Sequence, residues 1–100
     1  MLMTDAILIT IIAERLLKKQ LTELIVEKGA KGYTITDASG EGSRGIRASE
    51  FEGRNIKLEA IVNQEVANKI LTAVSETYFE NYAVITYTEN VKVVRGDKYL

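Results

Sequence analysis

The sequence predicts an α+β fold in which two β-α-β halves share one antiparallel sheet, with both helices on one face. Three observations predict it. Apolar residues switch between strand and helix spacing twice along the 100 residues, the two halves repeat the same order, and a glycine- and arginine-rich segment separates them. This is the ferredoxin-like βαββαβ sandwich. One hundred residues fit a single domain with one modest core.

The first strand is read over residues 6–12, nearly all aliphatic and rich in Ile. From Ala13 the period becomes helical, with Leu16, Leu17, Leu21, Leu24 and Ile25 on one side and Lys18, Lys19, Gln20, Glu23 and Glu27 on the other. Gly29 is placed to stop that helix, after Lys28 in the last turn, where the helix dipole favours a cation. Residues 32–36 read as a short second strand, and Asp37, Ala38 and Ser39 lead out of it.

A loop over about 38–54 follows, holding Gly40, Gly42, Ser43, Arg44, Gly45 and Arg47 within eight residues. Such a segment buries little apolar area but can offer backbone N–H groups and guanidinium forks to an anion. It is the candidate binding element. Residues 56–62 then alternate apolar with charged side chains as a half-exposed strand does. Asn63 suits a helix N-cap, and Val66, Ala67, Ile70, Leu71, Val74 and Tyr78 form the apolar stripe of the second helix. Residues 82–87 form the fourth strand; Glu89 and Asn90 interrupt it, and 91–95 either extend it or make a short fifth. Residues 96–100 read as a polar tail.

Composition narrows the chemistry. Thirteen basic and fourteen acidic residues give a net charge of −1, so no global field attracts nucleic acid. Neither Cys nor His occurs, which removes disulfides, thiolate nucleophiles and imidazole chemistry. The aliphatic run is too short to span a bilayer and lacks a basic start, and the protein is read as cytoplasmic. Glu50, Glu52 and Glu59 are not brought together by their spacing, and Tyr33, Tyr78, Tyr82 and Tyr87 are read as packing between sheet and helices. Strands 1 and 3 carry no exposed aromatics for single-stranded RNA, and no phosphate loop follows strand 1 as an acylphosphatase requires. Strand 1 offers no polar side, since Ile7, Ile9 and Ile11 alternate with Ala6, Leu8, Thr10 and Ile12. The sheet face without helices therefore predicts oligomerisation.

Residues 29–34, 40–49 and 55–59, with 13–19 and 78–83, make the chain resemble the PII signalling superfamily. The likeness is strongest to its PII-like branch, the SbtB type associated with bicarbonate uptake in cyanobacteria. The resemblance implies a homotrimeric, non-enzymatic regulator. It would bind adenine nucleotides (AMP, ADP, ATP or cyclic AMP) in clefts between subunits. It also implies a T-loop that closes over the ligand or reaches a membrane transporter or enzyme, which would make the protein peripheral at the membrane.

By position, the resemblance assigns Gly40, Gly42, Ser43, Arg44 and Arg47 to the phosphate-holding base of that loop, with residues 48–53 as the part that moves. It assigns Tyr82, Ala83 and Val84 to backbone recognition of adenine, and Arg95 to a basic contribution from a neighbouring subunit. The glycine-rich B-loop of ordinary PII proteins is replaced by Phe79-Glu80-Asn81-Tyr82, which argues against combined ATP and 2-oxoglutarate sensing. The alternative is a CutA-like trimer, structural or serving metal tolerance, that binds no nucleotide.

Overall fold

The computed structural model describes residues 1–40 and 55–100. Strand β1 (Met3–Glu14) passes through a 3-10 turn at Arg15–Leu17 into helix α1 (Lys18–Lys28), followed by β2 (Thr34–Ala38). After the loop come β3 (Asn55–Val62), α2 (Gln64–Tyr78), β4 (Val84–Val94) and a closing 3-10 turn at Gly96–Lys98. The sheet order is β2-β3-β1-β4 and every neighbouring pair is antiparallel. The ferredoxin-like fold is thus present.

Alternation along β1 sorts its side chains between two environments. Ile7, Ile9, Ile11 and Ala13 pair across to Val62, Ala60, Leu58 and Ile56 and sit under the helices. Leu17, Leu21 and Ile25 of the first helical segment and Ala67, Ile70, Val74 and Tyr78 of α2 close that core. Leu16, expected in the apolar stripe, is 43% exposed. The 3-10 turn is the cause: its three-residue period puts Leu16 out of phase with the helix that begins at Lys18.

Local chemistry ends and starts the helices as expected. Gly29 takes φ 125°, a conformation costly for a residue with a Cβ. Its N–H donates to the Val26 carbonyl at 3.1 Å, and that of Ala30 to the Ile25 carbonyl at 2.9 Å. A Cβ at Gly29 would also lie 2.9 Å from Val66 Cγ2, so the glycine lets the end of α1 approach the start of α2. There Asn63 caps α2, its side-chain oxygen accepting from the Val66 N–H at 2.8 Å.

Several boundaries differ from those expected. β1 begins at Met3 rather than residue 6, because Met3, Thr4 and Asp5 pair with Val94, Val93 and Lys92. β2 runs two residues later than the expected 32–36, since Asp37 and Ala38 pair with Ile56 and Asn55. β4 is one continuous strand: Asn90 and Glu89 pair with Ile7 and Leu8 instead of breaking the ladder. The closing turn packs rather than trailing as a tail. Gly96 is buried against Thr4, whose Cβ would lie 2.5 Å from a Cβ at Gly96.

The face away from the helices carries Leu8, Thr10 and Ile12 with their partners Ile61, Glu59 and Lys57 on β3 and Glu89, Tyr87 and Ile85 on β4. Ile85 is 55% exposed there. Thr10 is buried in the middle of this face, and its hydroxyl finds no hydrogen-bond partner among the described residues. An unpaired buried hydroxyl is costly, which marks Thr10 as an unsatisfied polar group on this face.

Candidate functional site

The antiparallel ladders bring the start of β4 and both stems of the loop to one end of the sheet. Ala38, the last residue of β2, pairs with Asn55, the first of β3, and Asn55 pairs in turn with Glu14 at the end of β1. Beside them Ala13 pairs with Val84. Residues distant in sequence thus share one edge.

Two successive residues at the end of β1 fasten this edge in opposite directions. The half-buried N–H of Ala83 donates to Glu14 Oε2 at 2.9 Å, across 69 residues of chain. Glu14 is only 9% exposed, so its carboxylate binds in a partly desolvated setting where a charge-assisted hydrogen bond is strong. Arg15 turns the other way, and its Nη1 lies 2.6 Å from Asp37 Oδ1 on the β2 stem. With side-chain exposures of 39% and 59%, that pair is worth only about 0.2–1 kcal/mol.

The link from α2 to β4 is held equally tightly. The N–H groups of Asn81 and Tyr82 both donate to the Tyr78 carbonyl, at 3.3 and 3.0 Å. The Tyr78 and Tyr82 rings meet edge-on, with centroids 5.8 Å apart and planes at 67°. Burial raises the Tyr78 pKa above its usual value, and the neighbouring Tyr82 phenol raises it further. These two tyrosines pack as expected. Tyr33 and Tyr87, expected to pack between sheet and helices, are instead 48% and 39% exposed; Tyr87 points to the helix-free face because its rung partner is Thr10.

The expected site residues divide into four groups. Tyr82, Ala83 and Val84 stand at the loop end. Gly40, on the loop's first stem, is exposed, with no atom of the described residues within 4 Å of where a Cβ would sit. Gly42, Ser43, Arg44 and Arg47, and the moving part expected at 48–53, lie outside the described residues. Arg95 is at the far end of β4, next to the Met3–Val94 rung, in a left-handed conformation with φ 65°. The eleven residues of β4 extend about 33–37 Å, so one chain does not bring Arg95 to Tyr82–Val84.

Glu14, Arg15 and Asp37 were not among the expected site residues. A carboxylate at the end of an aliphatic run reads equally well as the first polar residue of a helix, and only the ladder shows that it is still in the strand. Among the described residues no three Asp or Glu side chains come together as a metal site. No helix among them is long and apolar enough to cross a membrane.

Comparison with known proteins gives a consistent picture. The family model for nitrogen regulatory protein P-II matches residues 6–98. The chain is 58% identical to a PII-like signaling protein of Thermus thermophilus, with all of both chains covered and a TM-score of 0.88. It is 28% identical to CPII of Thiomonas intermedia in a structure bound to ADP and bicarbonate, covering 99% of this chain and 98% of that one, with a TM-score of 0.87. A second CPII structure, bound to ADP, AMP and acetate, gives 25% identity over 99% and 98% of the two chains and a TM-score of 0.84.

Proposed function

The chain belongs to the nitrogen regulatory protein P-II family, in its PII-like branch, and from that premise we propose that it is a trimeric sensor of adenine nucleotides. The ligand binds between subunits, and occupancy is reported to a partner through the order of residues 38–54. The observation that carries this reading is the convergence of Ala38, Asn55 and the Tyr82–Val84 segment on Glu14 and Arg15. A ligand seated against the start of β4 lies beside both stems of the loop. It shifts the loop population by binding one arrangement of those stems better than the other. No bond need be broken.

The helix-free face supports assembly. Leu8, Ile12, Ile61 and Ile85 share that face with the unpaired Thr10 hydroxyl, and a second and third copy would cover them. Assembly also gives Arg95 its place, since in a trimer a neighbour's far strand end can reach a cleft that its own chain cannot. Gly42, Ser43, Arg44 and Arg47 then hold phosphate, with the arginines as bidentate donors. That CPII binds ADP with AMP or bicarbonate supports an adenine nucleotide as the ligand here. A bicarbonate transporter is the partner proposed for the loop.

Calorimetric titration with AMP, ADP, ATP and cyclic AMP, each with and without bicarbonate, tests the reading. Saturable heat with at least one nucleotide is expected, and Arg44→Ala should weaken that binding by about 1.5–3 kcal/mol. No heat with any of the four would overturn the nucleotide reading and favour the CutA-like trimer.

A further inference from the structure

Strand β3 ends at Val62, opposite Ile7, so beyond that rung the sheet narrows to an arm of β1 and β4. Ile7 pairs with Asn90 and Asp5 with Lys92, and these four side chains share the helix side, because alternate residues of a strand face the same way. Helix α2 starts on that side with Asn63 and Gln64. A cavity of about 510 Å³ lies there, and its lining includes Asp5, Ile7, Asn63, Gln64, Asn90 and Lys92. Assembly through the helix-free face leaves it open.

The lining carries one charge of each sign and three carboxamides. Asn63 Oδ1 accepts from the Val66 N–H at 2.8 Å, which leaves the amide hydrogens of Asn63 as donors. Gln64 Nε2 donates to Asn68 Oδ1 at 3.0 Å, which leaves the Gln64 oxygen as an acceptor. Asn90 is exposed and offers both kinds of group. The charges of Asp5 and Lys92 meet at 2.6 Å, yet their side chains are 85% and 67% exposed, so each can take a new partner at little loss.

We propose that this cavity binds a free α-amino acid with a short, uncharged polar side chain. A ligand with a single charge would take one member of the Asp5–Lys92 pair and strand the other. A zwitterion satisfies both: its ammonium donates to the Asp5 carboxylate and its carboxylate accepts from the Lys92 ammonium. A side-chain hydroxyl or carboxamide then meets the carboxamides of Asn63 and Asn90. An apolar side chain would take water from those groups and return no hydrogen bond, and a charged one would add a third charge without a partner. The site stands apart from the nucleotide reading, which concerns the other end of β4.

The test is an NMR titration of the full chain, without nucleotide, using L-serine and L-asparagine. Saturable shifts are expected in the amide signals of Asp5, Gln64, Asn90 and Lys92, with those of Ala38 and Ala83 at the loop end unmoved. Ethanolamine is serine without its carboxylate, and 3-hydroxypropionate is serine without its ammonium. Each should bind more weakly than serine, by roughly threefold or more. Lys92→Gln should abolish the advantage of serine over ethanolamine, and Asp5→Asn its advantage over 3-hydroxypropionate. Both substitutions alter exposed side chains, so the fold is retained. Absence of shifts at the cavity with either amino acid would overturn the proposal, as would equal binding of serine and either truncated compound. Serine binding that persists unchanged in both variants would overturn it too. Glycerol binding as tightly as serine would make the cavity a polyol site and remove the amino acid from it.

Discussion

The two ends of β1 are built from similar parts and do different work. At each end a charged side chain reaches another strand at 2.6 Å, Arg15 to Asp37 beyond β3 at the loop end and Lys92 to Asp5 on adjacent β1 at the far end. At each end a residue with no side chain to spare is held by β1, Ala83 by the Glu14 carboxylate and Gly96 by contact with Thr4. The loop end joins four strands and buries its carboxylate, whereas the far end is a two-strand arm with its ion pair open to water. Equal distances therefore do not mean equal energies. What separates the two ends is how much of each contact is shielded from solvent.

Breaking the shielded contact should have the largest effect. Glu14→Ala removes a charge-assisted acceptor and leaves the half-buried Ala83 N–H unpaired, at a cost of about 1.5–3 kcal/mol. Urea denaturation measures it. A loss below about 0.5 kcal/mol would show that water replaces the carboxylate, and the contrast between the ends would disappear.

At the far end, Gly96→Ala places a methyl against Thr4, and overpacking of this kind costs about 1–3 kcal/mol. A value at the lower limit is expected, because an arm of only two strands can shift. Thr4→Gly in the same chain should recover most of the loss, and failure to recover would locate the strain elsewhere.

The ion pairs should rank by exposure. Arg15→Ala is expected to cost more than Lys92→Ala, both within about 1 kcal/mol, because the side chains of Arg15 and Asp37 are 39% and 59% exposed, against 67% and 85% for Lys92 and Asp5. Thermal melts at low and high salt would show it, and a larger salt effect on Arg15→Ala than on Lys92→Ala would reverse the ranking.

The smallest effect is confined to alkaline solution. Burial and Tyr82 raise the Tyr78 pKa in the folded protein, so the folded state holds this proton more tightly than the unfolded state. That contribution is full below the unfolded tyrosine value near 10 and is lost as pH rises through the folded one. Stability of the unaltered protein should therefore fall more steeply above pH 10 than that of Tyr78→Phe.

The fold was largely legible because it depends on patterns within a few residues of one another. The alternation of Ile7, Ile9 and Ile11 with Leu8, Thr10 and Ile12 assigned the two faces of β1. Gly29 and Asn63 marked helix ends by their own backbone and side-chain chemistry. Readings failed where a distant partner decided. Glu89 and Asn90 looked like a break and stay in β4 because β1 is long enough to pair with them. Leu16 looked buried until the 3-10 turn moved it out of phase. Of the candidate site, Tyr82–Val84 and Gly40 were visible in the sequence, but nothing there joined them to Glu14, Arg15 and Asp37.

The sequence by itself determined the kinds of element, their order, the apolar faces and the loop between the two halves. Each of these follows from side-chain spacing and backbone preference over a few residues. Only the tertiary structure decided that Glu14 closes on Ala83, that Arg15 closes on Asp37, and that Arg95 stands a full strand away from both. A hydrogen bond across 69 residues is fixed by strand order and register, which are collective properties of the packed sheet rather than of any segment in it.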